Sequence, residues 1–149
     1  MTAIGHLVDC GLNPICPENL RIYDHDRSLG SRELSLKGGD LYFGGKKVEL
    51  RSVAAPSFHC LVGESFLPAN VLDHLLECQN LAPLEWRKLS NGGGDGNPIT
   101  IFFAGTSYVG RFGQFVRHMF LGDGDQLWRG GVTHLSNNLS YGWTLVVKD

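Results

Sequence analysis

The segment "ITIFFAG", residues 99–105, is the strongest constraint on what this chain can fold into. It is an apolar run closed off by Pro98 and Gly105, and it lacks the strict alternation of a half-exposed strand. That pattern suits a strand buried on both faces, which can exist only inside a sheet. "QFVRHMFL", residues 114–121, supports the same architecture. Phe115, Met119 and Leu121 share one face with Arg117, while Val116 and Phe120 share the other with His118. Both faces again carry apolar groups, so a central strand is expected, with Arg117 and His118 satisfied by an ion pair or hydrogen bond. "DQLWRGGVTHL" and "YGWTLVVKD" supply two more strands, with Trp128 and Trp143 placed to close the ends of a sheet or small barrel. The C-terminal half is expected to be an antiparallel β unit.

Twenty glycines against six prolines favour turns and short strands over a helical bundle. In "RELSLKGGDLYFGGKKVELRSV", residues 32–53, alternating stretches are separated by Gly38-Gly39 and Gly44-Gly45, pairs that can take the positive φ of tight hairpin turns. This predicts a meander of about three strands. Pro68 suits a first helical turn, and Val71, Leu72, Leu75, Leu76 and Cys78 then recur at helical spacing, predicting one main helix over about 68–79. "LAPLEWRKLS" fits a brief helix from Pro83 anchored by Trp86, and residues 90–98 form a glycine-rich loop. Residues 1–30, where Pro14 and Pro17 bracket Cys16, are expected to be irregular. A chain of 149 residues is the usual size of one domain, so the expectation is a single α+β domain over 1–149, mainly an antiparallel or small barrel-like sheet.

Thirteen basic and fifteen acidic residues give a net charge of −2, and the isoelectric point is near 6.3. There is no bulk electrostatic drive towards nucleic acid or anionic membranes. No stretch has the apolar length of a membrane helix, and the opening residues lack the basic lead and apolar core of a signal peptide. A cytoplasmic protein with four reduced thiols is therefore expected; an oxidising location would leave three pairings open. The sequon Asn138-Leu139-Ser140 carries meaning only with secretion.

Chemistry concentrates in "SFHCLVGESFLPANVLDHLLEC", residues 57–78. His74 and Cys78 stand one helical turn apart, a spacing that projects two metal ligands from one face. Cys78 also lies on the apolar stripe, where a free cysteine behaves as a small hydrophobe. A tetrahedral site would need partners, and neither His59-Cys60 nor Cys10 and Cys16 has the ligand spacing of a zinc knuckle, so no metal or cofactor is expected. A catalytic Cys60 would need a base; His59 points to the opposite face of an extended segment, leaving His74 or His118 as partners. Other patterns fall short. "DLYFGGKKVE" has Asp40 where a phosphate loop needs glycine and Lys47 where it needs Ser or Thr. In "GTSYVG", Gly110 comes one residue late for a nucleophile elbow around Ser107. "GDGDQLW" has Leu127 and Trp128 where a calcium loop needs an oxygen ligand and a glycine, and fits a hairpin turn at Asp123-Gly124 better. "DHD", Asp24 to Asp26, reads as a solvated turn.

"LAPLEWRK", "ITIFFAGTSY" and "FVRHMFLGDGDQLWRGG" together resemble the succession of short Trp-containing and strand segments in a group of small uncharacterised bacterial proteins, over about residues 83–131. The resemblance implies no activity and carries over no catalytic residue. Two functions of different classes follow from the residues. One is a non-catalytic binding or assembly module that docks a protein partner or a second copy, with Tyr108, Phe112 and Trp128 as aromatic anchors. The other is a small enzyme with a thiol or histidine site drawn from Cys60, His59, His74 and His118.

Overall fold

A computed structural model describes residues 5–54, 64–87, 99–122, 127–135 and 141–148. The glycine pairs act as the sequence predicts. Gly38 and Gly39 take φ of 58° and 86°, and Gly44 and Gly45 take 62° and 80°. Each pair thus forms a two-residue turn with both central residues left-handed, matching the twist of the strands it joins. The result is the meander β3 (Ser31–Lys37), β4 (Asp40–Phe43) and β5 (Lys46–Ala54), in antiparallel register Lys37↔Asp40 and Phe43↔Lys46.

The apolar run lies in β7 (Thr100–Gly110), where Ile101, Phe102 and Phe103 are buried in succession on alternate faces. β8 (Gly113–Leu121) returns antiparallel to it, and β9 (Trp128–His134) follows antiparallel to β8. The last strand, β10 (Tyr141–Lys148), departs from the expected antiparallel C-terminal unit. It does not lie beside β9 but runs between β5, antiparallel, and β7, parallel through Trp143↔Ile101. That placement joins the two meanders into one strand order, β1-β3-β4-β5-β10-β7-β8-β9, with β6 (Glu64–Phe66) paired to the far half of β10. The sheet is open and not a barrel: β1 and β9 end the order, and no pairing among the described residues joins them.

The N-terminal thirty residues are more regular than expected. β1 (Gly5–Asp9) pairs with β3, and β2 (Leu20–His25) pairs with the second half of β7. β1 conceals itself in the sequence because its inward positions are His6 and Val8, whereas Leu7 points out and is 71% exposed. β2 is interrupted by a bulge between Ile22 and Asp24, which breaks its two-residue period. Among the described residues of this segment, 10–19, around Pro14 and Pro17, and 26–30 lie outside the strands.

One helix, α1 (Ala69–Glu77), lies against the sheet and buries Ala69, Val71, Leu72 and Leu75. Its entry is fixed where the chain crosses β7: the N–H of Gly105 donates to Leu67 and its carbonyl accepts from Asp26. A Cβ at Gly105 would stand 2.6 Å from the Phe66 carbonyl oxygen, so only glycine allows this crossing. The Thr106 hydroxyl accepts the first helical N–H, that of Ala69, at 3.0 Å. No helix among the described residues is long and apolar enough to cross a membrane.

Candidate functional site

The segment from Cys10 to Ile15 is an irregular loop whose peptide groups are tied down one after another. Cys10 N–H donates to Gly30, and Asn70 on α1 donates to the carbonyls of Asp9 and Leu12. Nε2 of His25 faces the carbonyls of Cys10 and Leu12, at 2.8 and 3.1 Å, and so carries the ring proton. Nδ1 is then the acceptor for the Thr106 hydroxyl at 2.8 Å, which links this loop to the start of α1. Arg27 donates to the Gly11 carbonyl at 2.6 Å and to Oδ1 of Asn13 at 2.5 Å.

Ile15 is held at both ends of its backbone. Its N–H donates to Oδ2 of Asp73, and its carbonyl accepts from the Tyr108 hydroxyl at 3.0 Å and from Arg117 at 3.3 Å. Arg117, 8% exposed, completes the circuit with a 2.5 Å ion pair to Oδ1 of Asp73. The expectation that Arg117 must find a partner is met by this carboxylate on α1 and by a loop carbonyl. Burial pushes the Tyr108 hydroxyl up to about 12, so it serves as a fixed donor at neutral pH.

With its backbone so restrained, the loop turns large apolar side chains outward. Leu12 and Ile15 are 64% and 65% exposed, and with Leu7 they rim a cleft of about 320 Å³ between the loop and α1. Asp9, Asn70, Asp73, His74 and Glu77 supply its polar lining. A larger hollow, about 400 Å³, lies at the β2–β7 end between Arg21 and Arg111. It has neither an apolar rim of this kind nor an acid, thiol or imidazole in its lining, and it is not the candidate.

A second cluster adjoins the cleft. His74 and Cys78 on the last turn of α1 meet His6 of β1, and one ligand atom from each lies within 4.8 Å of the others. The rings of His6 and His74 stand edge to face, with centroids 4.8 Å apart. Burial first, and then the neighbouring His6, lower the His74 pKa below its ordinary value. Nε2 of His74 is buried without a hydrogen-bond partner.

The remaining sequence candidates sort by placement. Tyr108 is wholly buried, and Trp128 lies in the main core with its backbone N–H and carbonyl bonded to the Gln79 side-chain amide, so neither can be a surface anchor in this fold. Phe112, in the turn between β7 and β8, is 77% exposed. Cys10 is a core residue whose thiol burial pushes up to about 12, and the Cys16 thiol donates to the Leu20 carbonyl, so these two do not join His74 and Cys78 as ligands. His118 follows Arg117 in β8 and faces the opposite side of the sheet, where it pairs with Thr133 at 2.6 Å. His74 and His118 therefore cannot serve one active site. His59, Cys60, the 90–98 loop and the Asp123-Gly124 turn lie outside the described residues. Sequence reasoning missed His6, Leu7, Leu12, Ile15 and Asp73; Leu12 and Ile15 had no signal beyond their neighbouring prolines, and Leu7 had none.

No protein-family model matches this chain, and neither does any curated protein or solved structure.

Proposed function

We propose that this protein is a non-catalytic binding module, and that its docking surface is the cleft between the 7–15 segment and α1. The carrying observation is the display of Leu7, Leu12 and Ile15, at 71%, 64% and 65% exposure, on a backbone restrained by the Asp73, Asn70, His25 and Arg117 hydrogen bonds. Large apolar groups grouped in the open, on a scaffold that has already lost its loop entropy, favour association over solvent exposure. Asp9 and Glu77 give the cleft an acidic cast, the Asp73 carboxylate being already engaged by Arg117 and the Ile15 N–H. The occupant that fits is an extended protein segment with an apolar side chain beside a basic one: the first covers the rim, and the second meets the carboxylates.

A random-peptide display library selected on the whole protein tests this reading. The expected outcome is enrichment of sequences joining apolar and basic residues, with binding abolished in Leu12→Glu/Ile15→Glu and retained in Phe112→Glu. Both altered positions are exposed, so the thermal melt should stay close to that of the parent. Selection of no peptide family, or of peptides sensitive to Phe112→Glu and indifferent to the loop change, would overturn the proposal.

A further inference from the structure

The geometry points to a metal centre at His6, His74 and Cys78: three protein ligands for one divalent zinc-like ion, with water in the fourth position. This site shares His74 with the lining of the cleft but stands whether or not the peptide-binding role is correct.

Two elements distant in sequence build it. His74 and Cys78 are fixed relative to one another by the helix end, where the Cys78 N–H donates to the His74 carbonyl at 2.8 Å. His6 is delivered from β1, whose position is set by its register with β3, His6↔Leu34. The three ligand atoms fall within 4.8 Å of each other. A tetrahedral ion with nitrogen at about 2.0–2.1 Å and sulfur at about 2.3 Å wants its ligands roughly 3.3–3.6 Å apart. Metal binding would therefore draw the three half-buried side chains together by about an ångström.

The donor set selects the ion class. Two imidazoles and a thiol suit zinc and cobalt(II) and disfavour magnesium and calcium, which want oxygen ligands. Binding releases the Cys78 thiol proton and any imidazole proton to solvent, and no oxidation state changes. An orphaned buried nitrogen calls for an explanation, and the Nε2 of His74 is one. The competing account is a stacked imidazole pair with an apolar thiol beside it. That account predicts no metal affinity at all.

Titration of the full reduced chain with cobalt(II), followed by absorbance, separates the two. One cobalt per chain is expected, with a sulfur-to-cobalt charge-transfer band and the visible bands of a tetrahedral ion, both displaced by zinc. Cys78→Ser should lose the sulfur band, and His6→Ala should weaken binding by more than the roughly 10–100-fold that an outer-shell change costs. Cys16→Ser should leave both unchanged. Circular dichroism checks that each variant folds. A measurement without substitutions runs beside it: zinc should slow maleimide labelling of Cys78 in the parent protein, read by peptide mass. The absence of a sulfur band, a band that survives Cys78→Ser, affinity indifferent to His6→Ala, or Cys78 labelling at one rate with and without zinc would each overturn the assignment.

Discussion

The two faces of β7 and β8 carry adjacent residues yet handle polarity in opposite ways. On the face towards α1, Phe103 stands across from Arg117; on the other, Phe102 stands across from His118. The α1 face belongs to a continuous core that includes Ile101, Phe103, Met119, Val71 and Leu75. There a full guanidinium charge is tolerated because α1 delivers Asp73 to it and the loop delivers the Ile15 carbonyl. On the opposite face, Phe102 and Val116 form a small fully buried cluster among the described residues, with Phe66, Ala104 and Leu135 half-covering them. Its polar group is an imidazole held to a threonine hydroxyl, with a pKa that burial lowers. The lesson is that a charge enters the sheet where a second element brings its counter-charge, and a thin cover takes a group that can be neutral.

The sharpest way to break that contrast is to remove the counter-charge. Asp73→Ala strands Arg117 in the core and also frees the Ile15 N–H. Breaking a buried pair by deleting one partner costs about 3–5 kcal/mol. Urea unfolding should show a loss in that range, and Asp73→Leu/Arg117→Met should recover much of it by leaving no charge to satisfy. A loss no greater than that of an exposed carboxylate substitution would show that the Arg117 pair is not what holds the loop to α1.

The aromatic pair sharpens the same comparison. Phe103→Ala and Phe102→Ala remove identical atoms from neighbouring positions, each at most 1% exposed. Such truncations cost about 3–5 kcal/mol, and the spread reflects how far the surroundings collapse. The crowded α1 face leaves its cavity open, whereas the half-covered side chains over Phe102 can close in. Phe103→Ala should therefore be the more damaging by about 1–2 kcal/mol in matched denaturant titrations. Equal losses would mean that the two faces are equally rigid.

What could be read from sequence, and what could not, follows the range of the interactions. The β3–β5 meander was legible because Gly38-Gly39 and Gly44-Gly45 fix register within two residues, a purely local act. The interior β7 and α1 were legible from their apolar runs, the helix only a residue or two off the 68–79 span. The insertion of β10 was not, because Thr144 to Val147 are buried in a way that suits any central strand and say nothing of β5 as the partner. The candidate site divides likewise. His74 and Cys78 sit at i and i+4, a spacing visible in the chain, but His6 meets them only after β1 docks on β3. Residue type alone does not distinguish a core ring from an exposed one, so in sequence Tyr108 and Trp128 read as well as surface aromatics as they do as core. Phe112 differs by its position in a turn between Gly110 and Gly113.

The smallest effect tests the thin face through His118. Burial lowers its pKa below the ordinary 6.5, so the unfolded chain takes up this proton at a higher pH than the folded chain does. Unfolding then gains protons, and the stability tied to a neutral His118 is complete above 6.5 and declines as pH falls through 6.5 towards the lowered folded value. The informative quantity is the difference between the parent and His118→Asn, in which everything common to both cancels. Measured by chemical unfolding from about pH 7.5 downward, the parent's advantage should shrink below 6.5. Thr133→Val, which removes the hydroxyl that His118 meets, should lower stability without abolishing this dependence, since desolvation and not the hydroxyl sets the direction. A parent advantage that stays constant across the window would mean that the ring is solvated on this face, and the contrast between the two sides of the sheet would then rest on Arg117 alone.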